Sequence, residues 1–133
     1  MTAVVRFDLV HHFPVSVDDV AAALLDPEFQ SSLSDIGALK ERTVVSERHE
    51  GNGRVVREIR CVLALKVSGA AKSFLGDSEP AWIQEETWDP GSRTWTWVVR
   101  PEVAKELLTA HGSTLVRGDD TKAERVVTGE VKV

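Results

Sequence analysis

The chain has 133 residues, which is enough for one domain with a full core and too few for two ordinary domains. Its content of 42% hydrophobic and 28% charged residues is that of a globular protein that folds in water. The net charge is −5, and basic residues are interleaved with acidic ones. This pattern excludes the basic patch of a general nucleic-acid binder, so we expect one domain over residues 1–133 and no nucleic-acid partner.

Cysteine content and hydropathy indicate the compartment. Cys61 is the one cysteine of the sequence, so no intramolecular disulfide can form, which fits a reducing environment. No apolar run approaches the length of a membrane span, and the first residues lack the pattern of a signal peptide. We therefore expect a cytoplasmic protein without a membrane span.

The first predicted element is a strand over residues 3–13. Apolar and polar side chains alternate along it, which predicts a half-buried strand with an apolar inner face. That face carries Val5, Phe7, Leu9, His11 and Phe13.

Two short helices are predicted after this strand. Ser16 and Asp19 have the spacing of a capping box in front of a helix over about residues 17–25. Asp26 followed by Pro27 predicts the start of a second helix that ends at Gly37. One side of this second helix carries Phe29, Leu33 and Ile36.

A β-hairpin is predicted from residue 39 to residue 67, with its turn at Gly51-Asn52-Gly53. A three-residue loop pairs Glu50 with Arg54. The same register then pairs Glu47 with Arg57, Val45 with Ile59 and Thr43 with Cys61. An exposed Glu47–Arg57 pair would contribute at most about 1 kcal/mol, whereas a pair inside a cavity would be a polar feature directed at a ligand.

A second hairpin, over residues 81–100, contains all four tryptophans of the chain. Large apolar and polar residues alternate on both sides of the turn at Asp89-Pro90-Gly91-Ser92. Because side chains alternate across a strand, all four indoles are expected on one face of the sheet. The predicted pairs are Trp88 with Arg93, Glu86 with Trp95, Gln84 with Trp97 and Trp82 with Val99.

The last third of the chain is ambiguous. Residues 101–112 begin with proline, contain helix formers and end with glycine, so propensity favours a helix. Residues 113–117 and 122–133 are predicted as strands joined through residues 118–121.

The order of strand, two short helices and a run of antiparallel strands resembles the START-like helix-grip superfamily, also called the polyketide cyclase/dehydrase type. The likeness extends over nearly the whole chain and is greatest to a bacterial branch whose members have no known function. The segments that carry it are Phe7 to Phe13 leading through Pro14, Leu25-Asp26-Pro27-Glu28-Phe29, Gly51-Asn52-Gly53, Glu86-Thr87-Trp88 and Val127 to Val133.

The resemblance implies an α+β fold in which a curved antiparallel sheet of about six or seven strands wraps around a cavity for an apolar molecule. It also implies that residues 103–117 are mostly strand, against their propensity, and we adopt this interpretation. The family closes its cavity with a long C-terminal helix, and the sequence up to Val133 predicts no such helix after the last strand, so we expect either a truncated form or another element that covers the sheet. We therefore predict a homo-oligomer, or a partner that covers the open face of the sheet.

The candidate cavity residues follow from these faces. The expected apolar lining is His11, Phe13, Phe29, Leu33, Ile59, Cys61, Trp82, Trp88, Trp95 and Trp97, and the expected polar residues are Glu47, Arg57 and Glu86. Each has an ordinary alternative: His11 would be a core histidine, Cys61 a small buried hydrophobe, the tryptophans core, and the charged residues exposed strand ends. No spacing typical of metal ligands occurs, so we expect neither a metal nor a cofactor.

The favoured function is a module that binds or carries an apolar or amphipathic small molecule. The first alternative is a small cyclase or dehydratase that uses the same cavity, with His11 and a carboxylate moving protons. The second alternative is a protein-interaction module that acts through the tryptophan face.

Overall fold

The computed structural model describes residues 4–32, 39–63, 81–102 and 109–132. These residues form a curved, seven-stranded antiparallel sheet with strand order β1-β7-β6-β5-β4-β3-β2 and two short helices after the first strand. The elements are β1 (Val4–Phe13), α1 (Val17–Leu25), α2 (Pro27–Ser32), β2 (Leu39–His49), β3 (Val55–Leu63), β4 (Ala81–Asp89), β5 (Thr94–Pro101), β6 (Thr109–Gly118) and β7 (Ala123–Lys132). The predicted fold class is confirmed, and the described chain contains no long C-terminal helix.

Both predicted helices are present. The Ser16 Oγ accepts a hydrogen bond from the Asp19 backbone N–H at 3.1 Å, as the capping box requires. The Asp26 carboxylate accepts from the Glu28 N–H at 2.9 Å and so caps α2. Leu33, Ile36 and Gly37, predicted to extend α2, lie outside the described residues.

Strand β1 is confirmed, but its predicted burial is only partly found. It forms one edge of the sheet and pairs with β7. On its inner face Phe7 and Phe13 are half-buried, whereas Val5 and Leu9 are 56% and 49% exposed. His11 is also exposed, so the interpretation as a core histidine is wrong.

The β2–β3 hairpin has the predicted turn but a different register beyond it. Glu47 pairs with Arg57 as predicted, and the Glu50 N–H donates to the Arg54 carbonyl at 2.8 Å. The pairing then shifts between Val44 and Ser46, which leaves Val45 as the extra residue of a β-bulge, half exposed to solvent.

The bulge changes which side chains of β2 face the cavity. The predicted pairs Val45–Ile59 and Thr43–Cys61 are wrong, and Val44 and Arg42 take those positions. Because side chains alternate along a strand, a one-residue shift exchanges the two faces. Arg42 is thereby turned inward.

The tryptophan hairpin has its predicted face but not its predicted pairs. Trp88 pairs with Trp95, and the remaining pairs are Glu86 with Trp97, Gln84 with Val99 and Trp82 with Pro101. The predicted register is wrong by two residues because the turn includes Arg93, at φ 51°. The Asp89 carboxylate stabilises this turn by accepting from the Gly91 N–H and the Ser92 hydroxyl at 3.1 and 3.0 Å. A shift of two residues preserves the side of each side chain, so all four indoles share the inner face.

Strand β6 replaces the helix that propensity favours after Pro101. Thr109–Gly118 pairs with β5 on one side and with β7 on the other, so residues 109–112 are strand and the helix prediction is wrong there. Residues 103–108 lie outside the described chain. The strand interpretation taken from the resemblance is confirmed for residues 109–117.

Gly112 is a point of close approach within the sheet, not the end of a helix. It pairs with Gly129, and a Cβ at Gly112 would lie 2.1 Å from the Thr128 carbonyl oxygen and 2.5 Å from the Trp97 ring. A Cβ at Gly129 would lie 2.4 Å from the ring of Phe7, which stacks on Trp97 with 6.3 Å between centroids. The glycine pair lets these two rings lie directly against the backbone.

Helix α1 forms the core with one end of the inner face. The Val17 N–H donates to the Asp119 carbonyl at 2.9 Å, which ties the start of α1 to the β6–β7 turn. Two buried clusters result, one of Val17, Val20, Val116 and Ala123, the other of Ala21, Val55, Trp88 and Trp95. No helix among the described residues has the length and apolar character needed to cross a membrane.

Candidate ligand cavity

A cavity of about 590 Å³ lies against the inner face of the sheet, beside α1 and α2. Its size is typical of small-molecule sites. Its lining is mostly apolar, with a few polar groups: Phe7, Leu24, Phe29, Arg42, Trp82, Gln84, Glu86, Trp95, Trp97, Val99, Ala110, Thr114, Arg125, Val127 and Val131.

Trp95 and Arg57 form the boundary between this cavity and the core. Trp95 is 4% exposed, packs on Trp88 at 5.3 Å between ring centroids, and also lines the cavity. The Arg57 guanidinium lies 4.8 Å from the Trp95 ring centroid, within the range of a cation–π contact. Trp88 lies on the core side of this boundary and does not line the cavity.

Arg57 is fully buried and uses its nitrogens on protein acceptors. Its Nε donates to Glu47 Oε1 at 3.1 Å, while Nη1 and Nη2 donate to the carbonyls of Leu24 and Leu25 at 3.0 and 2.9 Å. The last carbonyls of a helix have no partner inside the helix, and α1 has no basic residue in its last turn. Arg57 supplies that charge from β3 and fastens α1 to the sheet.

Glu86 is the buried acid at the polar end of the cavity. Its Oε1 accepts from the Gln84 Nε2 at 2.5 Å. Burial raises the pKa of this carboxyl above its ordinary value of 4.5, against the opposing effects of Arg42, Arg57, the Gln84 hydrogen bond and Arg125. At a given pH, the neutral form of Glu86 is therefore more populated than that of an exposed glutamate.

Arg42 and Arg125 face Glu86 from two different strands. Arg42 donates to the Cys61 Sγ at 3.5 Å. Burial lowers the pKa of Arg125 below its ordinary value, Glu86 raises it and Arg42 lowers it. The Nε of Arg125 and the Nε1 of Trp95 are buried and meet no acceptor within the described residues.

Cys61 lies under this polar end without lining the cavity. It is completely buried, and that burial raises the pKa of its thiol, with Arg42 opposing and Glu86 adding to the shift. This environment is that of the predicted small buried hydrophobe, not of an activated thiolate.

The structure places the predicted cavity residues in three settings. Phe29, Trp82, Trp95, Trp97 and Glu86 line the cavity. Ile59, Cys61, Trp88 and Arg57 are buried in the protein, Phe13 packs on the core beside α1, and Glu47 holds Arg57. His11 is exposed, opposite Arg125 on the inner face, and does not line the cavity; Leu33 lies outside the described residues.

Two charged lining residues were missed by the sequence prediction. Arg125 precedes Val127 by two positions on a predicted strand, and Val127, Val131 and Val133 share one face of that strand, so this alternation was a usable signal. Arg42 had no such signal, because only the bulge at Val45 turns it inward. No group of three metal-ligating side chains lies together in the part of the chain that the structure describes.

A family model described as "Protein of unknown function (DUF2505)" matches residues 8–133. The chain belongs to this family. No curated protein matches the DUF2505 chain significantly.

Solved structures share the fold of this DUF2505 protein at low sequence identity. The Zhui aromatase/cyclase from Streptomyces sp. R1128 is 14% identical, with a TM-score of 0.67 over 97% of this chain and 68% of the other. A norcoclaurine synthase point mutant from Thalictrum flavum, in complex with a transition-state analogue, is 14% identical, with a TM-score of 0.69 over 100% and 78%. A conserved protein from Geobacillus kaustophilus is 12% identical, with a TM-score of 0.60 over 96% and 73%. The fold is therefore the START-like helix-grip fold.

Proposed function

We propose that residues 1–133 act as one START-like domain that binds or carries an apolar or amphipathic small molecule. The observation that supports this most directly is the cavity of about 590 Å³ with Phe7, Trp82 and Trp97 in its wall. Pockets that are mostly apolar, with a few convergent polar groups, are the usual setting for such ligands.

Burial of the ligand would supply most of the binding free energy. At about 25 cal/mol per Å², burying roughly 300 Å² of apolar ligand surface contributes about 7.5 kcal/mol before the entropic cost of association. The tryptophans add large, rigid surfaces that lose little conformational entropy on binding.

Neighbouring valines on β5 provide a matched test. Val99 lines the cavity, whereas Val98 lies on the opposite face and is exposed. We expect Val99→Trp to weaken binding of the neutral dye N-phenylnaphthylamine by about tenfold or more, equivalent to about 1.4 kcal/mol, while Val98→Trp leaves it unchanged. The measurement is dye emission during titration, and equal binding by both variants would contradict the proposed site.

Glu86 supports a second candidate, catalysis in the same cavity. A buried carboxyl with a raised pKa, facing two guanidinium groups, has the character of a general acid. His11, the acid or base suggested by sequence, does not line the cavity. Turnover of a bound compound that Glu86→Gln abolishes without weakening binding would favour this candidate.

We further propose that a second copy of the chain covers the exposed part of the inner face near Val5 and Leu9. Large exposed apolar surfaces mark interaction sites. Light scattering across a range of protein concentrations tests this, and a monomer at high concentration would contradict it.

A further inference from the structure

The charges that line the cavity are unequal in number. Among the lining residues that the structure describes, Arg42 and Arg125 are cations and Glu86 is a carboxylate. Arg57, the third arginine nearby, does not alter this difference, because it pairs with Glu47 and caps α1. Among the described lining residues, the positive charges therefore outnumber the negative ones by one, at the polar end of a mostly apolar cavity.

The same region contains hydrogen-bond donors that the described protein does not satisfy. The Nε of Arg125 and the Nε1 of Trp95 are both buried and meet no acceptor among the described residues. Trp95 is only 4% exposed, and it forms part of the cavity wall. Buried donors cost free energy unless an acceptor is supplied, so an oxygen in the cavity, from water or from a ligand, would stabilise both of these atoms.

Glu86 is the carboxylate that the described residues contribute to the lining, and it would oppose an anion if it were charged. It accepts from Gln84, and burial raises its pKa, so proton uptake by this carboxyl is easier than in an exposed glutamate. A protonated Glu86 would no longer repel an anion and would add an O–H donor.

We propose that this polar end binds the oxyanion of an amphipathic acid, with Arg125 and Arg42 on the head group and the tail against Trp82, Trp97 and Val131. The inference rests on the proposed binding function and names the class of ligand. A carboxylate is the simplest such head group, and its two oxygens match the paired donors of a guanidinium.

The test compares ligands that share one saturated chain and differ in their head group. Dodecanoate, dodecanol, dodecyltrimethylammonium and dodecyl phosphate are titrated below their micelle concentrations or, for dodecanol, below its solubility limit, and binding is followed by calorimetry. We expect dodecanoate to bind at least about tenfold more tightly than dodecanol. The cationic compound is expected to bind most weakly. Tighter binding of dodecyl phosphate than of dodecanoate also supports the oxyanion site and identifies its source as a phosphate.

A pair of arginine variants assigns the selectivity to the site. Arg125→Met retains an apolar stem and is expected to lower dodecanoate affinity to that of dodecanol, with dodecanol binding unchanged. Arg6→Met is the control, because it removes the same charge outside the cavity. Arg6 is exposed on the outer face, where it pairs with Glu130. If Arg125→Met does not fold, the comparison of head groups in the unaltered chain still decides.

The outcomes separate the two proposals. If none of the compounds binds, the carrier function itself is wrong. If dodecanol binds as tightly as dodecanoate, the result supports the proposed binding function and contradicts the proposed oxyanion site. Loss of dodecanol and dodecanoate binding alike in a folded Arg125→Met protein would assign Arg125 a structural role and overturn its role on the head group.

Discussion

The inner face of the sheet is buried beneath α1 on one side and exposed to solvent on the other. Around β3 to β5, Val55 and Trp88 are 3% and 4% exposed because α1 lies across them. At the β1 edge, Val5 and Leu9 belong to the same face and are about half exposed. Both regions have alternating apolar residues, so alternation predicts a strand but does not reveal whether another element covers it. The cavity lies between the covered and the open side.

Removing the link between α1 and the sheet is expected to have the largest effect. Arg57→Met removes the arginine partner of the Glu47 carboxylate, which keeps its contact with His49, and leaves the carbonyls of Leu24 and Leu25 at the end of α1 without this donor. We expect a loss of about 3–5 kcal/mol in the free energy of unfolding, measured by urea denaturation. Arg60→Met is the control three residues further along β3, where the pairs with Glu102 and Glu41 lie near the surface and each contribute less than about 1 kcal/mol. Equal losses would show that the α1 contact is unimportant.

The contrast in burial can be tested with two valines. Val55→Ala is expected to lower the free energy of unfolding by roughly 1.5–3 kcal/mol, because Val55 packs in the cluster beneath α1. Val5→Ala is expected to change it by less than about 0.5 kcal/mol, since Val5 is 56% exposed. A large effect at Val5 would mean that another molecule covers the open side.

The glycine pair gives a test at the far side of the cavity. Gly112→Ala places a Cβ against the Thr128 carbonyl and the Trp97 ring, so we expect a loss of about 1–3 kcal/mol. Gly51→Ala is the control, because nothing lies within 4 Å of its added Cβ. Thermal unfolding of the two variants measures the difference, and equal stability would contradict the close approach of Trp97.

The smallest effect concerns pH. Because burial raises the pKa of Glu86 above 4.5, the folded state binds its proton more tightly than the unfolded state. This contribution to stability is complete at acid pH and is lost as the pH rises from 4.5 through the pKa of the folded state. Glu86→Gln should remove the part of this decline that comes from Glu86. The measurement is the free energy of unfolding, obtained by denaturation at a series of pH values. An unchanged pH profile would show that Glu86 titrates like an exposed acid.

Local signals in the sequence predicted much of the fold. The Ser16–Asp19 cap, the turn at Gly51–Gly53 and the shared face of the tryptophans each depend on residues close together in the chain. Strand register was not predictable in the same way. It depends on the bulge at Val45 and on the left-handed backbone of Arg93, which neighbouring residues do not specify.

The candidate site was predicted least well, for the same reason. The aromatic part of the lining follows from alternation, and Trp82, Trp95 and Trp97 were found in that way. The exposed setting of His11 depends on how the described elements pack around the sheet edge, which alternation along a single strand does not specify.

The bulge at Val45 determines which side chain of β2 lies opposite Cys61. In an unbulged β2, the hydroxyl of Thr43 would occupy the place that the guanidinium of Arg42 holds. The described lining would then contain one arginine and one glutamate in place of two arginines and one glutamate. Insertion or deletion of one residue in an edge strand therefore changes the charge of the inner face without a substitution in any other strand.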